Sequence, residues 1–435
     1  MKLEEFENKK ILIVGGGVEG QATLRFLKKY FPNNVIDIVD QKDEENYLDK
    51  QEEYDIAIKS PGVRSSNIKI PYTTATNIFL SNAKGKIIGV TGTKGKSTTS
   101  TLIVEMLKKQ GFDAHLGGNI GQSPLDFMDT LNDQSQTVLE MSSFQLQDVK
   151  KSPHIAVLLM IAPEHLDYHG SIETYIDAKR NILRFQDSSD FAVINRDYPA
   201  TNESDLKTIA RTFQVSRERA CDEGCFVKNK SVYLRKDSRE QEIINVEQIK
   251  LIGKHNLENV CAASMAAFLA GVSKENIANI LRSFTGLPYR LEFVGELENI
   301  RFFNDSLATI PQATMEALDA LEETETLITG GFDRGIDYKE LGIKIANSKV
   351  KALILFPTTG AKIWKAVCEA TKTPPERFEV NTMQQAVRIA FTETSPGKIC
   401  LMSPASASFN LFKNYKDRGN QFKKEVDALK QNDSN

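Results

Sequence analysis

The sequence predicts an α/β protein of three successive units, and three observations carry that prediction. Short β-branched runs alternate with helix-length stretches along most of the chain. Two glycine-rich turns each stand between such a run and a helix. Two stretches, polar residues 82–86 and Gly/Pro-bearing residues 284–290, interrupt the alternation. At 435 residues the chain is longer than one ordinary domain. The expected domains are residues 1–85, 86–286 and 287–435.

In the first unit, residues 9–16 read as a buried parallel strand, followed by a helix through Tyr30. A second strand runs from Val35 to Val39, a third from Ile56 to Lys59, and a short one spans Ile68 and Ile70. The turn Gly15-x-Gly17-x-x-Gly20 joins the first strand to its helix. Asp40 lies twenty residues beyond Gly20, at the end of the next strand. That spacing describes a dinucleotide site, with a pyrophosphate at the helix N-terminus and the acid on a ribose. On these residues alone NAD binding leads, and a ligand-free βα turn is the plainer alternative.

The second unit opens on Lys86-Ile87-Ile88-Gly89-Val90-Thr91, followed by Gly92-Thr93-Lys94-Gly95-Lys96-Ser97 and a helix from Thr98 to Gln110. Strand, glycine-rich loop and helix in this order make a phosphate-binding loop. Backbone N–H groups cradle phosphate oxygens, Lys96 reaches the outer phosphates and the Ser97 hydroxyl ligates Mg²⁺. Val90 stands where the commonest form of this loop has glycine. Further strands are expected at 137–140, 155–161 and 191–195. The polar text from about 200 to 250 reads as antiparallel hairpins at one sheet edge, with Cys221 and Cys225 in a surface hairpin. An Ala-rich helix from Leu257 to Ala270 follows.

Glu140 ends a buried strand, where a carboxylate faces bound phosphates and assists Mg²⁺. Glu164-His165-Leu166-Asp167-Tyr168-His169 follows the most apolar strand, a place suited to metal or substrate. Lys179 shares a helical face with Tyr175, four residues before it. The third unit has strands at 300–303, 326–329, 352–356 and 398–402. Residues 423–435 are expected to fray.

Composition excludes several classes. Hydrophobic residues make up 40% and charged residues 26%, and the net charge is −3. This balance gives no basis for a nucleic-acid partner. No apolar run approaches a membrane span, and no secretory signal is visible at Met1–Glu7. The five scattered cysteines fit reduced thiols in a cytoplasm.

Taken together, the segments resemble the Mur ligases, the ATP-dependent amino-acid-adding enzymes of peptidoglycan synthesis. The shared features are residues 92–97, Glu140, His165, Lys179, Gly-Lys-His-Asn (253–256), Leu-Pro-Tyr-Arg (287–290) and Asn304-Asp305-Ser306. Residues 117–121, 142–146 and 403–408, extended by 413–415 and 418–420, are similar to the family's D-glutamate-adding branch. The resemblance replaces the NAD reading. It implies a Rossmann-like N-terminal domain that holds a UDP-substrate, a central P-loop ATPase-like domain with a mixed sheet, and a Rossmann-like C-terminal domain. The implied activity adds D-glutamate to UDP-N-acetylmuramoyl-L-alanine through an acyl phosphate, in a cytoplasmic monomer.

By resemblance, ATP meets Gly92, Thr93, Lys94, Gly95, Lys96, Ser97, Thr98, Asn256, Arg290 and Asp305. The UDP-substrate meets Val18, Glu19, Asp40, Gln41, Lys42, Gly62, Asn119 and Ser142. Two Mg²⁺ ions would be held by Ser97, Glu140, His165 and Lys179, the last as an N-carboxylated lysine. The amino acid falls to Thr309, Arg334, Ser408 and Tyr415. Leu307 stands where the D-glutamate branch commonly has a lysine. Two alternatives stay open: a related ligase that adds another amino acid, and a slow P-loop switch that binds partners.

Overall fold

In the computed structural model, residues 1–43, 46–409 and 411–432 are described, and they fall into two compact units. One comprises Met1–Ile249 with His255–Phe284, the other Lys250–Lys254 with Thr285 onwards.

The first unit carries two sheets. The smaller is built from β1 (Ile11–Val14), α1 (Val18–Tyr30), β2 (Ile36–Val39), β3 (Ile56–Lys59), β4 (Tyr72–Thr73) and α2 (Ala75–Asn82), with parallel strands in the order β2-β1-β3-β4. The larger begins with β5 (Lys86–Thr91), α3 (Lys96–Gln110), β6 (Ala114–Gly118), α4 (Pro124–Phe127), β7 (Gln136–Glu140), α5 (Ser143–Leu146) and β8 (Ile155–Leu158). It continues with α6 (Leu166–His169), α7 (Ile172–Arg184), β9 (Phe191–Asn195), α8 (Pro199–Asn202), β10 (Arg211–Ser216), β11 (Gly224–Lys228), β12 (Ser231–Lys236) and β13 (Arg239–Asn245). Helices α9 (Asn256–Leu269) and α10 (Lys274–Ser283) close it.

The nine-stranded order is β13-β12-β11-β10-β9-β8-β5-β7-β6. From β6 across to β11 the strands run parallel; β12 alone is reversed, pairing antiparallel with both β11 and β13. Both sheets share one apolar core, from Phe6 and Ile11 through Phe79 and Phe127 to Ile182 and Ile194. Lys59 and Asp148 pair at 2.8 Å within this unit, both almost wholly buried. Ser65, Tyr72 and the Val63 carbonyl satisfy the remaining positions. Desolvation offsets much of the attraction in such a pair, and the added hydrogen bonds are what make its burial tolerable.

The second unit holds β14 (Glu292–Leu297), β15 (Ile300–Asn304), α11 (Pro311–Ala320), β16 (Thr324–Gly330), α12 (Lys339–Ala346), β17 (Ala352–Phe356), α13 (Thr359–Ala370), β18 (Glu376–Glu379), α14 (Met383–Glu393), β19 (Ile399–Met402) and α15 (Tyr415–Asn432). Its sheet order is β14-β15-β19-β16-β17-β18, parallel except for β14. Apolar clusters cover both faces.

Several expectations need correction. Ile68 and Ile70 lie outside any strand, because a 3-10 turn at Ser65–Asn67 precedes them and pairing starts only at Tyr72. The text from 200 to 250 is not all antiparallel: β10 and β11 extend the parallel sheet before the turn back. Cys221 and Cys225 are buried rather than in a surface hairpin, since Cys225 sits on β11 under α9. No cysteine is in a disulfide; Cys261 and Cys400 are also buried and Cys368 is exposed. Residues 423–432 are helical rather than frayed, because Phe422 and Val426 bury one face of α15. Residues 433–435 of that expectation lie outside the described residues. No described helix is long and apolar enough to cross a membrane.

Candidate active site

The phosphate loop runs from the end of β5 into α3. Gly95 caps the helix at φ +84°, a conformation that favours glycine, and a Cβ there would lie 2.1 Å from Asn259 Oδ1. Asn259, on α9, donates to Asn256 Oδ1 at 2.8 Å, so the helix carrying Asn256 abuts the loop. Thr93 binds the Ala162 backbone and the Tyr175 hydroxyl, the latter at 2.9 Å. Lys96 Nζ donates to the carbonyls of Gly92 and Thr93 at 3.0 and 2.9 Å. This amine can turn outward to phosphate oxygens, which are stronger acceptors.

One cavity of about 620 Å³ joins this loop to the turns of the smaller sheet. Of the residues expected from the sequence, Val18, Glu19, Gly62, Lys96, Asn119, Ser142, His165 and Lys179 line it together. Asp40, Gln41 and Lys42 do not. The Asp40 carboxylate accepts from the backbone N–H groups of Gly16 and Lys42 at 2.6 and 3.0 Å, and those bonds hold its pKa below the usual value. Asp40 therefore braces the glycine turn. Glu19 accepts from Gln145 at 3.2 Å through one oxygen, while the other is buried without a partner; burial raises its pKa.

Glu140 and Lys179 are the two buried charged groups beside the loop. Glu140 accepts from Asn119 at 3.1 Å, and its second oxygen is buried with no hydrogen-bond partner. Such an orphan oxygen is costly unless something cationic meets it. Lys179 is 2% exposed and donates to the Gly92 carbonyl at 2.8 Å. Burial and then the Lys96 charge push its pKa down to about 7, against the pull of Glu164 and Glu140. The amine is thus largely neutral just above neutrality. His165 is half-exposed in left-handed backbone at φ 55°, with the Phe144 ring edge-on at 5.1 Å.

The other histidines of that stretch have structural roles. His169 is buried against Ser143 at 3.0 Å, and His154 binds Asp190 at 2.9 Å. Among the described residues, no three acids, histidines or cysteines form a metal site. Glu140, with a hydroxyl such as that of Ser97 and ligand oxygens, supplies donors of the kind a divalent cation takes.

In the second unit, Asp305 is buried, accepting from Ser403 Oγ at 2.8 Å and from the Leu291 N–H at 3.2 Å. Burial raises its pKa from 3.8 to about 7. The folded state therefore keeps a proton that the unfolded chain releases near pH 4. Stability is lost as pH rises from about 4 to about 7, and the contribution is level above that, where both states are ionised. Asp305→Asn leaves an amide oxygen that can still accept from the Leu291 N–H, and an amide NH₂ that can donate to Ser403 Oγ in place of the bond that Asp305 accepts. It is expected to stabilise the ligand-free protein at pH 8 by roughly 1–3 kcal/mol, with little effect near pH 4, read as melting temperatures at the two pH values.

Arg418 is wholly buried and donates to Ser306 Oγ, the Ser306 carbonyl and the Ser406 carbonyl at 2.9 to 3.0 Å, which locks residues 304–306 to the 403–408 loop. Arg290 and Arg334 are exposed, Thr309 and Tyr415 half-buried and Ser408 buried. Asn259, Tyr175, Gln145 and Arg418 were not singled out for a site from sequence. Asn259 had one usable signal, its i+3 spacing from Asn256.

A phosphate loop flanked by a buried acid and a buried amine, on an α/β framework, is the arrangement of a nucleotide-binding enzyme. The chain belongs to the Mur ligase family and is an ATP-dependent ligase. Residues 90–267 match the Mur ligase middle domain, and residues 289–406 match the Mur ligase, glutamate ligase domain. The chain is 34% identical to the UDP-N-acetylmuramoylalanine--D-glutamate ligase of Acetivibrio thermocellus, over 98% of this chain and 99% of that protein. It is 37% identical to the same-named ligase of Symbiobacterium thermophilum, over 88% and 86%. Among solved structures, the UDP-N-acetylmuramate-alanine ligase of Thermotoga maritima shares the fold with a TM-score of 0.60 at 18% identity, over 97% of this chain and all of that one. The MurF ligase of Thermotoga maritima, solved with ADP, does so with a TM-score of 0.57 at 17% identity, over 98% and 97%.

Proposed function

We propose that this chain is a cytoplasmic, monomeric ligase that joins D-glutamate to UDP-N-acetylmuramoyl-L-alanine with cleavage of ATP to ADP and phosphate. The three domains are taken as 1–85, 86–286 and 287–435. One observation carries the reading: a single cavity spans the glycine turn at Val18–Glu19 and the loop lysine Lys96. That arrangement suits a substrate with a nucleotide diphosphate at one end and a carboxylate at the other. The likeness to D-glutamate-adding relatives over nearly the whole chain supports the amino acid.

The substrate carboxylate attacks the γ-phosphate of ATP, releasing ADP and forming an acyl phosphate. The amine of D-glutamate then attacks the carbonyl carbon, and phosphate leaves with the acyl oxygen. Lys96 offsets the repulsion between the two anions in the first step. Asn256, Arg290 and Asp305 are assigned to the nucleotide, and Asn119 and Ser142 to the muramoyl end. The neutral Nζ of Lys179 attacks the carbon of CO₂ and gives up a proton to solvent, forming a carbamate. Mg²⁺, held by Ser97, Glu140, His165 and that carbamate, would add positive charge beside the phosphates.

Arg334 is assigned a D-glutamate carboxylate, with Thr309, Ser408 and Tyr415 around it. Leu307, which cannot pair an anion, favours a second reading in which another amino acid is added. Phosphate release from ATP with UDP-N-acetylmuramoyl-L-alanine, measured across a panel of amino acids, decides between them. Release is expected only with D-glutamate. Release with another amino acid overturns the specificity, and release without any amino acid overturns the ligase mechanism.

A further inference from the structure

Arg334 lies in the loop 331–335, which Gly330, Gly331 and Gly335 carry through left-handed backbone. A backbone bridge between Phe332 and Ala407, with the Phe332 N–H donating to the Ala407 carbonyl at 2.8 Å, ties this loop to the 404–409 segment. The Arg334 guanidinium stands over the Phe409 ring, 5.5 Å from its centroid. The Phe332 ring meets Phe409 edge-on at 6.2 Å. Phe409 is 59% exposed and Phe332 41% exposed. Two neighbouring aromatic rings this open to solvent are poorly explained by core packing.

The acid next in sequence is not available to Arg334. Asp333 pairs with Lys362 at 2.6 Å and accepts from the Gly335 N–H at 2.9 Å. Among the described residues no carboxylate pairs with Arg334. Its head is therefore held by a ring face and keeps its donors for a ligand. Stacking suits guanidinium in particular, because a planar cation lies flat on an aromatic face while its edge still presents a fork.

We propose that Phe409, backed by Phe332, is a positioning residue that pre-stacks Arg334 for the carboxylate of the incoming amino acid. This rests on the assignment of Arg334 to the amino-acid site. A long side chain already ordered loses less rotamer freedom on binding, so the shelf acts on affinity rather than on the chemical step. It also offers this chain a route to anion binding with Leu307 in the lysine's usual place.

The test is a double-mutant cycle on the full-length enzyme, reading KM for D-glutamate, KM for ATP and kcat. Arg334→Ala is expected to raise the D-glutamate KM strongly. Phe409→Leu, similar in bulk but without a ring face, is expected to raise it roughly three- to tenfold with ATP KM and kcat much less changed. Phe409→Tyr should restore it, and Phe409→Leu should add less than about twofold in the Arg334→Ala background. A normal D-glutamate KM in Phe409→Leu, with Arg334→Ala impaired, overturns the shelf alone. A Phe409→Leu effect that persists at full size without Arg334 does the same. A normal KM in Arg334→Ala overturns the amino-acid site and the shelf with it.

Discussion

Lys179→Ala is expected to fold normally and to lose ligation by at least about a thousandfold, and millimolar acetate or formate is expected to restore part of it. The fold should survive because the side chain contributes a single hydrogen bond, to the Gly92 carbonyl, and its charge is unwelcome where it sits. Activity should fail because the carbamate proposed for this amine would complement the cationic side of the loop. A free carboxylate diffusing into the vacated space can supply the same charge. The checks are circular dichroism for the fold and phosphate release with and without the added acid. If the variant is intact and no carboxylic acid rescues it, Lys179 acts through its ammonium form and the carbamate is wrong. Unimpaired ligation would remove Lys179 from the site altogether.

Lys96→Ala is expected to reduce kcat by roughly a hundred- to a thousandfold, the usual cost of removing one electrostatic contact to a transferring group. Melting temperature should change little, since the lysine donates to two carbonyls of a loop that the Thr93 contacts already hold. The two variants differ in a useful way. Small acids rescue the loss of an anion but not the loss of a cation, so acetate should leave Lys96→Ala inactive. Turnover near the unmodified level in Lys96→Ala would mean that the loop does not carry the reacting phosphate.

Much of this was legible along the chain because the decisive signals are local. A β-branched run, a glycine-rich loop and a helix occur within residues 86–110, and the structure gives β5 and α3 there. The helix begins at Lys96 rather than Thr98, because Gly95 in left-handed backbone serves as its cap. What was hidden depends on distant partners. Asn259 meets Gly95 only because α9 folds back onto the loop; its i+3 spacing from Asn256 marks a shared helical face but not the loop that face would meet. Arg418 is marked in the sequence only as part of the 418–420 match; its burial against Ser306 and Ser406 depends on the 403–408 loop, which is distant from it in local pattern. The end of the chain misled through composition. Polar and charged residues dominate residues 423–432, yet Phe422, Val426 and Leu429 recur at helical spacing and pack on the second unit's core. Edge strands β14 and β18 were missed because β14 is part-exposed and β18 mostly exposed, so no apolar run announces them.

The distribution of thiols has a practical consequence. Four of the five cysteines are buried, and Cys225 and Cys400 have pKa values raised by that burial, so their reactive thiolate forms are suppressed. Cys368, on α13 of the second unit, is the exposed one. The unaltered chain thus offers a single attachment point for a maleimide dye. Fluorescence from one labelled helix can then report on the C-terminal unit during turnover, with no cysteine-free background to engineer first.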